Sequence, residues 1–198
     1  MTTHRLVRRL GVGLAATAAA IVVAAGGVWL AIQGDGNVHV LEPGVAIRAA
    51  QPSAARLDDI VRTYGVRSVV NLRGPNAGQP WYDEEMAASR RLGLAHVDIA
   101  LSARQELTPA QLDAVLARVA QAPKPVLIHC NGGSDRTGLV SAAWVWSRGG
   151  SADDAGKQLA VRYGHFPWLG SRTVAMDRSL AAFEARPRLP APTASSAH

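Results

Sequence analysis

The chain has 198 residues, one cysteine, 48% hydrophobic and 18% charged residues, and a formal net charge of +6. That length describes one domain with appendages, and the lone cysteine excludes an internal disulfide and a cysteine-based zinc site. The positive excess is mild, Arg5, Arg8 and Arg9 supply part of it, and no basic stretch is interleaved with aromatics, so nucleic-acid binding is not indicated.

Residues 1–9 form a short basic N-terminus. From Leu10 to Ile32 no residue is charged over 23 positions, which is roughly 34 Å of helix against a hydrocarbon core of about 30 Å. With the three arginines before it and Asp35 after it, this segment predicts a single transmembrane signal anchor, with Trp29 as an interfacial residue. The arginines then stay cytoplasmic and the domain is exported, periplasmic or extracellular. The competing reading is a signal peptide cut after Ala25, which releases a secreted domain; such apolar regions are typically about 7–15 residues long. Residues 33–37 (QGDGN) read as a flexible linker. The folded domain is expected over 38–185, and the Pro-, Ala- and Ser-rich stretch 186–198 as a disordered tail.

Inside the domain, Val66–Leu72 is a strand rich in β-branched residues and closed by Gly74-Pro75. Trp81–Leu92 has helical composition, with Glu84, Glu85, Arg90 and Arg91 as a solvated face and Trp81 as a packing residue. Ala95–Leu101 is a second strand. Leu107–Ala120 is an amphipathic helix: Thr108 is its N-cap, Pro109 its first position, and Gln111 completes a capping box. Pro125–His129 is a short buried strand. Thr137–Ser147 is a mostly apolar helix ended by Gly149-Gly150. Ser151–Tyr163 follows as a helix capped by Ser151 with Asp153 and Asp154 in its first turn, and Ser171–Ala185 is the last. Strands alternating with helices imply an α/β fold, a mostly parallel central sheet flanked by helices. Ligands of such sheets bind beyond the carboxyl ends of the strands, and Cys130 lies just past one.

The segment Lys124–Gly138 (KPVLIHCNGGSDRTG) carries the chemistry. A strand runs into Cys130, the loop Asn131, Gly132, Gly133, Ser134 follows, then Asp135 and Arg136, and a helix begins near Thr137. Glycines allow the backbone to approach closely and adopt positive φ, so the N–H groups of residues 131–136 can form an anion nest. The following helix adds its free N–H groups and dipole. Arg136 supplies a planar fork matched to phosphate oxygens. These surroundings favour the thiolate of Cys130, poised to attack phosphorus.

The pattern His129-Cys130, five residues, Arg136-Thr137, with Gly133 between, resembles the cysteine-dependent protein tyrosine and dual-specificity phosphatases. The likeness to small bacterial members extends to Ile47–Ser53, Gly65–Gly74 and the surroundings of Arg162–His165, over residues 38–185. It implies a phosphocysteine on Cys130, phosphate binding by Arg136, assistance to the leaving thiolate by Thr137, loop support from His129, and no metal or other cofactor. Many relatives place a general-acid Asp upstream of the helix preceding the catalytic strand, where Asp98 is the nearest match. Asp135, in the position before the arginine, is the other candidate, as in myotubularin-type lipid phosphatases.

The resemblance makes a phosphotyrosine-containing protein or peptide the default substrate. A phospholipid or phosphoinositide head group is the alternative, motivated by the anchor and Asp135. A non-catalytic phosphate-binding module is the alternative of another class, and the Arg-Thr-Gly ending argues against a rhodanese-type sulfurtransferase. Among the remaining polar residues, Arg73 either lines the cleft or forms a surface ion pair, and His165 and Trp168 are expected to cap and pack.

Overall fold

The computed structural model describes residues 36–187 without interruption, and upstream of them only Thr17, Ala19, Ala20, Val23, Gly26, Gly27 and Gly34. The expected anchor over 10–32 thus falls for the most part outside the described residues, as does the expected tail from 188 onward. Among the described residues no helix is long and apolar enough to cross a membrane. The chain divides into two units, 1–35 and 36–198, and the second holds the whole α/β fold.

Five short strands form one sheet: β1 (His39–Glu42), β2 (Ala46–Ala49), β3 (Ser68–Asn71), β4 (Ala95–Asp98) and β5 (Val126–His129), in the order β1-β2-β5-β3-β4. Only the β1–β2 hairpin is antiparallel. Six helices cover the faces: α1 (Ala54–Tyr64), α2 (Pro80–Arg91), α3 (Pro109–Gln121), α4 (Asp135–Ser147), α5 (Ala152–Gly156) and α6 (Val174–Glu184). Side chains alternate across a strand, and the sheet uses that period fully. Ala46, Val70, Val126 and Ile128 face the larger core under α3, α4 and α6, with Leu112, Val140 and Met176. Ile47, Val69 and Leu127 face a smaller core with Leu57, Ile60 and Ala88 of α1 and α2. Both faces are covered along the three central strands, and β2, β5 and β3 are buried over their whole length.

The capping box of α3 is present as expected: Thr108 accepts from Gln111 N–H, and the Gln111 side chain accepts from Thr108 N–H. Elsewhere the structure corrects the sequence reading. The hairpin β1–β2 and helix α1 carried no strand or helix expectation, although Ser53 caps α1 and Gly65 ends it in the left-handed region. The expected helix Ser151–Tyr163 stops at Gly156 and gives way to turns and a single 3₁₀ turn at Val161–Tyr163. Just beyond its end, Gln158 accepts from a buried arginine, Arg48, through both its carbonyl and its side chain. Helix α4 begins at Asp135, two residues before its expected start, which places Asp135 and Arg136 in its first turn. Gly36 and Asn37, read as linker, belong to the fold: Gly36 O accepts from Ala50 N–H and Asn37 is buried.

Candidate active site

The parallel strands end along one edge of the sheet. Register places Ala49, His129, Asn71 and Asp98 side by side there, and Cys130 is the next residue of β5, a buried free thiol. The loop after it is pinned from outside. Asn131 O accepts from Gln51 N–H at 3.0 Å, Gly132 O from Asn37 Nδ2 at 2.9 Å, and Gly133 O from Arg48 Nη2 at 2.7 Å. A trans peptide sends its carbonyl and the following N–H in opposite directions. The N–H groups of Gly132, Gly133 and Ser134 are therefore turned away from those three donors, as an anion nest requires. Gly133 has φ +70, and a Cβ there would lie 2.7 Å from Ala50 N and 2.8 Å from Ala49 O, so glycine is obligatory where the loop crosses the end of β2.

Arg48 was not read from the sequence as part of the site. It is fully buried inside β2, with its guanidinium 3.8 Å from the centre of the Tyr163 ring. Burial pulls it down to about 10, against Tyr163 and Cys130, which pull it up; it still carries its charge at neutral pH. Asn37 completes this anchorage by donating to Tyr163 O as well, at 2.9 Å. The signal available in the sequence was the strand period, which puts Arg48 on the same inward face as Ala46.

At the other end of the loop, Arg136 is loosely held. Its Nη1 reaches Leu72 O at 3.4 Å and Leu101 O at 3.3 Å, and its buried Nε has no partner. A guanidinium carries five donors in a fixed fork, so most of this one remains available to an anion. The Thr137 hydroxyl is likewise buried without a partner. Arg73 is the second arginine beside Cys130: it stacks 3.3 Å from the centre of the Trp81 ring and donates to Gln51 Oε1 at 2.9 Å. Burial and Arg136 pull Arg73 down, whereas Cys130 and Glu85 pull it up. It lines the cleft rather than a surface ion pair.

His129 is supported from below by Glu85. The Nε2 of His129 lies 3.1 Å from Glu85 Oε2, off the line of a hydrogen bond, and His96 Nε2 lies 2.8 Å from Glu85 Oε1. Gln51 also donates to Glu85 Oε2. Burial pushes the Glu85 carboxyl up, but His129 and His96 overcome it and hold it at about 2. The reading of Glu85 as part of a solvated face is thus corrected: it is 1% exposed. Helical spacing from Tyr82, Ala88 and Ser89, all buried, places it inward.

The two general-acid candidates stand apart. Asp98 accepts from Asn71 Nδ2 at 2.8 Å through one oxygen and from Tyr82 OH at 2.6 Å through the other. The hydrogen bond to Asp98 pushes Tyr82 up to about 12, so the phenol stays protonated and donates. Each Asp98 oxygen thus accepts one hydrogen bond, and His96 Nδ1 lies 3.7 Å from Oδ2. Asp135 Oδ1 meets His165 Nδ1 at 2.7 Å, and His165 Nε2 meets Asp177 Oδ2 at 3.0 Å. Burial pulls His165 down, but the two carboxylates win and raise it. His165 is thus a buried partner of the catalytic loop rather than a cap. Trp168, expected to pack, is 53% exposed. Among the described residues no set of three His, Cys, Asp or Glu side chains is arranged to hold a metal ion.

A thiol beside an anion nest, a guanidinium with donors to spare in the first turn of the next helix and a parallel sheet behind them define the class of cysteine-dependent phosphatases. The chain belongs to the PTP-SAK family, described as the Swiss Army Knife protein, DSP-PTPase phosphatase domain, whose model matches residues 35–181. A Cupriavidus necator protein, provisionally named a tyrosine-protein phosphatase, is 29% identical over 152 residues; the match covers 62% of this chain and 54% of that protein. The chain thus spans about half the length of that relative. TpbA of P. aeruginosa shares the fold at a TM-score of 0.57 with 18% identity, covering 75% of this chain and 88% of TpbA, and TpbA has also been crystallised with pTyr. The core catalytic domain of the S. cerevisiae PP-IP phosphatase SIW14 has a TM-score of 0.58 with 17% identity, covering 71% of this chain and 83% of its own.

Proposed function

We propose that this chain hydrolyses phosphomonoesters through a covalent phosphocysteine on Cys130. The thiolate attacks phosphorus in line, the bond from phosphorus to the ester oxygen breaks, and Asp135 gives that oxygen its proton. Water then attacks phosphorus and yields its proton to Asp135 while the bond from phosphorus to sulfur breaks, with the Thr137 hydroxyl donating to the departing thiolate. Inorganic phosphate leaves. The observation that carries this reading is the pinning of three successive loop carbonyls, together with an Arg136 whose Nη1 reaches Leu72 O and Leu101 O and whose Nε has no partner. The experiment is Cys130→Ser: release of phosphate from para-nitrophenyl phosphate without added metal disappears while vanadate binding persists. Turnover near the wild-type rate in that variant refutes the mechanism, and an inactive wild type that still binds vanadate favours a non-catalytic phosphate-binding module.

A phosphotyrosyl protein or peptide is the first substrate reading, supported by the family and by the name of the Cupriavidus relative. A phosphorylated lipid or inositol head group is the second; an open cavity of about 520 Å³ lies between residues 104–106 and 170–178, and none of residues 129–137 lines it. Arg104, Arg172 and Arg178 line it; Arg178 is paired with Glu106. An Arg104→Gln/Arg172→Gln chain that loses kcat/KM on an inositol phosphate and keeps it on a phosphotyrosyl peptide supports the second reading. Export behind a membrane anchor at residues 10–32 is part of the same proposal, on the strength of Arg5, Arg8 and Arg9. A reporter fused after His198 that is active only outside the cytoplasm tests it, and a cytoplasmic signal reverses the topology.

A further inference from the structure

Among the described residues, four large apolar side chains within one short stretch are exposed: Val161 (49%), Phe166 (50%), Trp168 (53%) and Leu169 (95%). Phe166 and Trp168 meet edge to face at 4.9 Å, which makes them one surface. Leu169 is held at φ +56, a left-handed conformation that a leucine adopts only at a cost. Soluble domains rarely gather exposed apolar side chains in this way unless something covers them.

Charge and position indicate what covers this patch. Arg162 and Arg172 are exposed on either side of it, and no acid occurs from Ala155 to Met176. The patch also lies where the folded unit begins: Asn37 donates to Tyr163 O at 2.9 Å, and the rings of His39 and Tyr163 meet at 4.9 Å. The same Asn37 side chain donates to Gly132 O in the loop after Cys130. The start of the folded unit, the apolar patch and that loop thus share one end of the domain. An aromatic tip flanked by arginines is the composition of a segment that lies in a membrane interface.

We propose that residues 161–172 seat the domain on an anionic lipid bilayer, with Phe166, Trp168 and Leu169 entering the acyl boundary and Arg162 and Arg172 on lipid phosphates. The seat holds the catalytic loop at the surface of the membrane, whichever phosphomonoester it hydrolyses there; the inference stands apart from the phosphatase assignment. The test uses the full chain with Cys130→Ser and Leu169→Cys, labelled at 169 with an environment-sensitive fluorophore and reconstituted in vesicles of phosphatidylcholine and phosphatidylglycerol. A second chain carries the label through Ala120→Cys, at the exposed end of α3 that leads into the start of β5, away from the catalytic edge. The label at 169 should shift its emission to the blue and resist an aqueous quencher at least fivefold better than the label at 120. Arg162→Gln/Arg172→Gln should return it to water. A label at 169 as wet as the one at 120 overturns the seat. A shift that grows with the number of chains per vesicle at fixed lipid overturns it too, in favour of a contact between protein molecules. Turnover of para-nitrophenyl phosphate by the unlabelled chain reads the phosphatase assignment separately, and Leu169 is too exposed for its replacement to threaten the core.

Discussion

Two histidine–carboxylate clusters flank the catalytic loop, and they are built in opposite senses. Upstream, one buried carboxylate, Glu85, serves two histidines, His129 and His96. Downstream, one buried histidine, His165, serves two carboxylates, Asp135 and Asp177. The first arrangement holds an acid ionised far below its usual range; the second raises a base. Both touch the ends of the loop: His129 precedes Cys130, and Asp135 precedes Arg136.

The group between the two flanks gives the largest effect. Arg136→Lys removes the fork and is expected to lower kcat/KM by about 10²–10³-fold on every phosphomonoester, as loss of a transition-state donor does; an equal loss confined to one substrate class contradicts a general phosphate-binding role. Next comes the proton. Asp135→Asn should cost about 10²-fold on an alkyl phosphate, within the usual range for a general acid, and far less on para-nitrophenyl phosphate, whose leaving group departs unprotonated. Asp98→Asn should show no such difference between the two esters; if it does and Asp135→Asn does not, the general acid is Asp98.

The upstream flank should register mainly as stability. Glu85→Gln leaves His129 and His96 without their charged partner, an expected loss of about 1–3 kcal/mol, read from urea midpoints. A change within about 0.5 kcal/mol is what a surface position gives and would return Glu85 to the solvated face. The smallest effect is the pH profile of stability, and its two limbs have opposite signs. Glu85 has its pKa depressed from 4.5 to about 2, so its contribution is complete above pH 4.5 and is lost as pH falls towards 2. His165 has its pKa raised from 6.5, so its contribution is complete below pH 6.5 and is lost as pH rises through the raised value. Stability should peak between these limits, with Glu85→Gln flattening the acid limb and His165→Gln the alkaline one.

Much of this molecule was legible from local pattern. The loop from His129 to Thr137 needs a strand, small residues and a helix start in immediate succession, and all three are written within fifteen consecutive residues. Helix α3 announced itself through Thr108, Pro109 and Gln111 because a capping box is satisfied within four residues. Neighbouring segments with equally clear local signals were misread. Ser151 caps its helix as expected, yet the helix ends at Gly156, and Gln158, two residues on, accepts from a buried guanidinium 110 residues away in sequence.

By itself, then, the sequence determined the family, the order of strands and helices around the segment 124–147, and the succession of Cys130, a small-residue loop and Arg136, since each of these depends on residues close together in the chain. Only the tertiary structure decided that Arg48 and Asn37 hold the loop open, that Glu85 turns inward to His129, and that His165 links Asp135 to Asp177. Those roles come from buried polar groups. A buried donor or acceptor must find its partner wherever the fold brings one, and the partner's distance along the chain leaves no periodic trace in the sequence.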